Sequence, residues 1–468
     1  MRKKSVICIF LSILLCLSVM MPATATEELD SRTDAANSCQ TLDAQAALLG
    51  NEELVKNVRA ALIYELNSDT LMYAYNPDTS EEPASLVKIM TALVAIEKGN
   101  LDDSVTVKQT LLDLIPEKTI SAKLVADEVI TIKDLLYCML VGSASDAAVV
   151  IADHVAGSQE AFVELMNSRA REIGCTGTLF VNTHGLFDRR QVTTARDTAK
   201  ILKTALENET FSEIFSSPYY TVKATNKSAV RNLATNNFLM SQHDVRIYYD
   251  TRVTGGRSGV AEDGTRSIAS TTDSDGMRLI CVVMGSASEY REGSTKVRVY
   301  GGFPETISLL DICYNQYKTV HVIYDGQILT QHPVANGAND VSLRVDTSVL
   351  TVLPRNITSK QLVFHYKDKA IAAPVKAGDS LSSVEIWYND LCVGQAKLFA
   401  VNDVEPAGTL QCDVKGSSLS FWWILLLIPI LTFVFLGLKY RLKIRRFVRS
   451  MYRKFRKRFV RTRDTRRR

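Results

Sequence analysis

Ser85 and Lys88 stand three residues apart in Pro83-Ala84-Ser85-Leu86-Val87-Lys88, at the head of a stretch with apolar residues at 86, 89, 90, 93, 94 and 96. That period predicts a helix over 85–98, and positions i and i+3 share one helical face, so the amine can reach the hydroxyl. A hydroxyl is a weak nucleophile until a base takes its proton, and a lysine serves when burial or a neighbouring cation lowers its pKa. The helix N-terminus also turns backbone N–H groups towards negative charge developing on an attacked carbonyl. The chemistry on offer is acyl transfer through a serine ester. Alone, the S-x-x-K spacing is common, because a capping serine followed by a solvated lysine satisfies it equally well. Metal chemistry has no comparable signal: the six His are dispersed without H-E-x-x-H, and the nine Cys without C-x-x-C.

The elements that must hold this pair can be read around it. Ala60 to Tyr64 and Leu71 to Tyr75 flank Asn67-Ser68-Asp69 and predict a hairpin. Helical periods follow at 132–156, 159–173 and 195–206, and strand-like runs return at 266–271 and 277–284. Strands at both ends with helices between predict an α/β domain whose sheet joins early and late chain, over residues 57–318. Short alternating runs at 321–324, 341–345, 362–366, 383–387 and 394–401, separated by Gly, Asn and Asp, predict a small all-β domain over 319–404.

The ends read differently. Of 468 residues, 55 are Lys or Arg and 51 Asp or Glu, a net of +4. Yet residues 439–468 hold sixteen Lys and Arg against Asp464 alone, and Arg2, Lys3 and Lys4 are basic too. The chain between therefore carries a net of −14. Met-Arg-Lys-Lys, an apolar run from Val6 to Met21 and Ala23-Thr24-Ala25 predict a signal peptide over 1–25, followed by a mobile leader over 26–56. Leu419 to Leu438 is a 20-residue uncharged stretch with Trp422 and Trp423 near one end, expected to be a transmembrane helix after a linker at 405–418. The basic run at 439–468 then reads as a cytoplasmic tail on anionic lipid rather than a nucleic-acid arm, with the acidic body outside the cell. The expected localisation is thus the cell membrane, by a single C-terminal span.

Ala84-Ser85-Leu86-Val87-Lys88-Ile89-Met90-Thr91-Ala92-Leu93 closely resembles the active-site helix of the penicillin-binding D-alanyl-D-alanine carboxypeptidases, the low-molecular-mass serine DD-peptidases. The resemblance continues in order. Gly142-Ser143-Ala144-Ser145-Asp146-Ala147 is similar to that family's second motif, S-x-N followed by Asp-Ala. Asn182-Thr183-His184-Gly185-Leu186 and Thr193-Thr194-Ala195-Arg196-Asp197 resemble two further segments, and Val253-Thr254-Gly255 stands where the family has K-T-G. The resemblance implies a serine DD-peptidase fold related to the β-lactamases, with Ser85 as acylated nucleophile, Lys88 as base and Ser143 as proton relay. It implies Ser145, Val253, Thr254 and Gly255 as substrate-binding positions. It also implies a peptidoglycan stem peptide as substrate, β-lactams as acylating inhibitors, and no metal or organic cofactor.

Two positions depart from the family. Ser145 replaces its Asn, and Val253 its K-T-G lysine; Arg257 and Arg291 are the candidate replacement cations, and the residues alone do not choose between them. The departures leave a second reading open, an impaired enzyme of the same fold that binds cell-wall peptide or a protein partner.

Overall fold

The computed structural model describes residues 42–43, 47–242, 245–290, 298–367, 370–407 and 441–461. Its main sheet comprises β1 (Ala60–Glu65), β2 (Thr70–Tyr75), β3 (Val253–Val260), β4 (Arg266–Ser274) and β5 (Met277–Ser286). They run in the order β2-β1-β5-β4-β3 with every neighbour antiparallel, so the hairpin at the start of the domain pairs with strands from its end. Ala-Ala-Leu-Ile-Tyr-Glu in β1 is buried at all six positions, the near-continuous apolar run expected of a central strand covered on both faces.

The two faces sort by residue parity. Ala269, Ile280, Val282 and Met284 join the core beneath α1 (Val87–Lys98), α2 (Ile132–Leu140), α3 (Ser145–Ala156), α4 (Gln159–Ile173), α5 (Ala195–Leu206) and α6 (Glu209–Phe215). Leu279, Cys281 and Val283 point the other way, onto Leu309, Leu310 and Cys313 of α7 (Phe303–Gln316). Strand β3 is the sheet's edge.

The single helical period read over 132–156 is two helices. The chain turns between them at Gly142-Ser143, with Ser143 in the left-handed region at φ 59. Apolar residues continue across the break and conceal it from a periodicity argument. The leader reading also changes. Leu48 and Leu49 donate backbone N–H bonds to the carbonyls of Leu71 and Met72 on β2, while the carbonyl of Leu42 accepts from Arg196 and Asp43 pairs with Lys200 at 2.5 Å. The described part of the leader is docked to the domain.

From Tyr317 the chain forms the anticipated β domain. A five-stranded sheet, ordered Ile328–His332, Val341–Arg344, Leu391–Ala400, Ser380–Tyr388 and Val363–Tyr366, shares a core with the pair Tyr317–Ile323 and Val349–Pro354. Strands Ile328–His332 and Val349–Pro354 are absent from the sequence reading.

The membrane reading is corrected. The stretch 419–438 lies outside the described residues, as does the signal peptide, and among the described residues no helix is long and apolar enough to cross a membrane. The described part of the basic tail is a helix, Arg441–Arg461, carrying exposed Phe447, Val448, Met451 and Tyr452. The fold class therefore stands as an α/β domain with a β domain, without the transmembrane helix and single-span localisation attached to it.

One buried ion pair secures the loop beside α3. Glu128 is fully buried, and Arg231 donates to both of its carboxylate oxygens at 2.7 Å and to the Ala122 carbonyl at 2.8 Å. Removing one partner of such a pair leaves an uncompensated charge and costs about 3–5 kcal/mol. Glu128→Gln should therefore lower the urea midpoint clearly; an unchanged midpoint would contradict this role.

Candidate active site

Ser85 lies in a single 3-10 turn, Ala84–Leu86, that runs directly into α1, and Lys88 sits one turn on, 1% exposed. The Lys88 amine is 3.3 Å from Ser85 Oγ and 3.4 Å from Ser145 Oγ. Ser143 Oγ, brought in by the left-handed turn between α2 and α3, is 3.4 Å from Ser85 Oγ. Ser85, Lys88, Ser143 and Ser145, drawn from two separate segments, thus meet at one point. Asp146 anchors the second segment: its carboxylate accepts the backbone N–H groups of Ala122, Leu124 and Ala147.

Val253, Thr254 and Gly255 do not join them. Val253 pairs with Thr272 and packs towards α7, Thr254 Oγ1 lies 3.1 Å from Thr271 Oγ1, and Gly255 abuts Phe215 and Thr271. The residues that reach Ser85 lie four positions further along β3. Arg257 is wholly buried and donates through Nη2 to Ser143 Oγ at 2.5 Å and through Nη1 to the Leu140 carbonyl. A side chain on Gly259 would place its Cβ 2.6 Å from the Ser85 backbone nitrogen, so only glycine lets the strand approach so closely. Arg257-Ser258-Gly259, a cation, a hydroxyl and a glycine, is the part of β3 that lies against Ser143 and Ser85. Matching the letters Thr-Gly at 254–255 hid it; a search by chemistry, a cation followed by a hydroxyl and a glycine, would have found it. Arg252 pairs with Asp250 and Asp311, and Arg291 lies outside the described residues.

Electrostatics follow from this placement. Burial pushes the Lys88 pKa well below its ordinary value, the Arg257 charge lowers it further, and Asp146 pulls more weakly the other way. Burial brings the Arg257 guanidinium down to about 10, which leaves it cationic at neutral pH. His184 is lowered to about 4 by burial and by Lys88, and its Nδ1 accepts the Leu186 N–H at 3.2 Å, a contact local to the loop. Gly185, at φ 80, passes so close that a Cβ would fall 2.1 Å from the Ala84 carbonyl oxygen. The nucleophile is thus backed by one loop and faced by the edge strand. Such a site can deprotonate Ser85, carry the proton through Ser143, and stabilise an oxyanion near the Ser85 N–H. Among the described residues no cluster of His, Cys, Asp and Glu could hold a metal ion.

Comparison with known proteins decides the family. The model of a family described as D-alanyl-D-alanine carboxypeptidase matches residues 51–288, half of the chain, including every residue of the site. The chain belongs to that family. A second model, the C-terminal domain of penicillin-binding protein 5, matches residues 317–406. D-alanyl-D-alanine carboxypeptidase DacC of Escherichia coli is 29% identical over 363 residues, covering 75% of this chain and 85% of the relative. DacF of Bacillus subtilis is 25% identical over 364 residues, covering 76% and 88%. Among solved structures, penicillin binding protein 5 from Haemophilus influenzae aligns with a TM-score of 0.62 at 25% identity, over 75% of this chain and 98% of that one. The carboxypeptidase fold therefore extends through both domains, and the enzyme class is serine hydrolase.

Proposed function

We propose that this carboxypeptidase removes the terminal D-alanine from peptidoglycan stem peptides through an acyl-enzyme on Ser85, with Arg257-Ser258-Gly259 as its third motif. Neutral Lys88 takes the Ser85 proton as Oγ attacks the penultimate D-alanine carbonyl. Ser143, held by Arg257, passes a proton to the departing D-alanine amine, and the C–N bond breaks. Water then hydrolyses the ester with the same groups acting in reverse. The substrate backbone lies along the unpaired edge of β3, as an added strand. The carrying observation is the buried Lys88 amine 3.3 Å from Ser85 Oγ beside a permanent cation. The impaired-enzyme reading rested on the departures at Ser145 and Val253, and Arg257 supplies the cation that the second of them lacked.

Two measurements on the full chain test this. D-alanine should be released from a pentapeptide ending in D-Ala-D-Ala. Benzylpenicillin should add the mass of one β-lactam, localised to the proteolytic peptide that contains Ser85. An adduct elsewhere, or no D-alanine release, contradicts the proposal.

A further inference from the structure

The main sheet has two edges: β3, which lies against the nucleophile, and β2, which meets the leader. Leu48 and Leu49 bond to β2 carbonyls, and further on Leu54 N–H donates to Tyr73 Oη at 3.1 Å while that hydroxyl donates to the Glu52 carbonyl at 2.9 Å. The leader thus occupies part of an edge that would otherwise present unpaired backbone groups.

Side chains of this short run enter three separate cores. Ala47 is buried among the residues beneath the helices, whereas Leu49 and Val55 lie on the opposite sheet face with Leu309 of α7. Leu48 packs on that second face too, and also against the interior of the β domain. Val352, from the β-domain strand Val349–Pro354, shares the cluster with Val55. The run therefore folds over the β2 edge and touches both domains. Upstream, Asp43 pairs with Lys200 and the Leu42 carbonyl accepts from Arg196, which fastens the far end to α5. Between these anchors and β1, Asn51, Glu52, Glu53 and Leu54 are exposed. Apolar side chains buried against two domains at once lose contacts when either domain moves, so they link the opening of one to that of the other.

We propose that residues 47–55 are a strap that couples the β domain to the catalytic domain, so that leader, β2 edge and β domain open as one cooperative unit. The bland alternative is a passive tail, laid over a domain contact that α7, Val352 and the Arg355 bonds to Tyr314 and Asp275 hold without it.

Hydrogen exchange on the full chain, read by mass in rising urea, tests the strap. In the parent, peptides covering 47–55, 70–75 and 341–354 should lose protection together. Leu48→Asp should speed exchange at least about 10-fold in all three, and Leu48→Ala by less, while α1 keeps the parent's protection. Should Leu48→Asp also strip α1, Leu48→Ala carries the same comparison. Faster exchange confined to 47–55, or loss of protection at separate urea concentrations in the parent, overturns the proposal.

Discussion

Lys88→Met is expected to abolish turnover while making the protein more stable. The substitution nearly conserves volume but removes the base that lies 3.3 Å from Ser85 Oγ. General-base loss at an otherwise intact nucleophile costs about 1,000- to 10,000-fold. The gain in stability follows from linkage. Burial, with Arg257 second, makes folded Lys88 hold its proton more weakly than an unfolded lysine. Between that lowered pKa and about 10.4, the unfolded chain binds more protons, so the parent's stability falls as pH falls across this window. Methionine carries no such penalty. Thermal unfolding at neutral pH should give a higher midpoint for Lys88→Met, and the difference should narrow as pH approaches that of free lysine. A midpoint below the parent's at neutral pH would show that Lys88 is not a strained, desolvated amine.

Arg257→Ala carries the second large effect. Its guanidinium holds Ser143 and adds to the depression of the Lys88 pKa, so two functions go together. Leaving Ser143 Oγ and the Leu140 carbonyl without their charged donor costs about 1.5–3 kcal/mol, or roughly 10- to 150-fold in acylation. The pH dependence separates the two functions. Without the neighbouring cation the Lys88 pKa rises, and because the neutral amine is the reactive form, the acidic limb of the acylation profile must move to higher pH. Arg257→Lys keeps a charge and should recover part of the rate. Val253→Lys should recover nothing, because Val253 packs towards α7 far along the strand from Ser143.

The contrast between positions 253 and 257 measures what was legible in the sequence. Ser85 and Lys88 could be read because i,i+3 spacing on a helix fixes their proximity whatever the fold around them. Ser143 and Ser145 could be read only through resemblance, since their meeting with Lys88 depends on a left-handed turn at Ser143 that apolar periodicity runs straight across. The sheet order was legible in outline, because apolar strands at both ends of a helical region have few other partners. Register along β3 was not. Val253-Thr254-Gly255 and Arg257-Ser258-Gly259 lie on the same strand, and the approach of Gly259 to the Ser85 nitrogen and the bond from Arg257 to Ser143 distinguish them. Docking of the leader was hidden for a related reason, since backbone hydrogen bonds to β2 need no particular side chains.

The third-motif assignment is the point on which the mechanism turns, because it supplies the cation that the Val253 alignment lacked. It is tested most directly by the second-order rate of Ser85 acylation by benzylpenicillin, followed by intact mass against pH, for the parent, Arg257→Ala and Val253→Ala. The account predicts that Arg257→Ala is slowed by at least about 10-fold with its acidic limb displaced upward, while Val253→Ala follows the parent. An Arg257→Ala profile that coincides with the parent, or a Val253→Ala profile that collapses in its place, would contradict it.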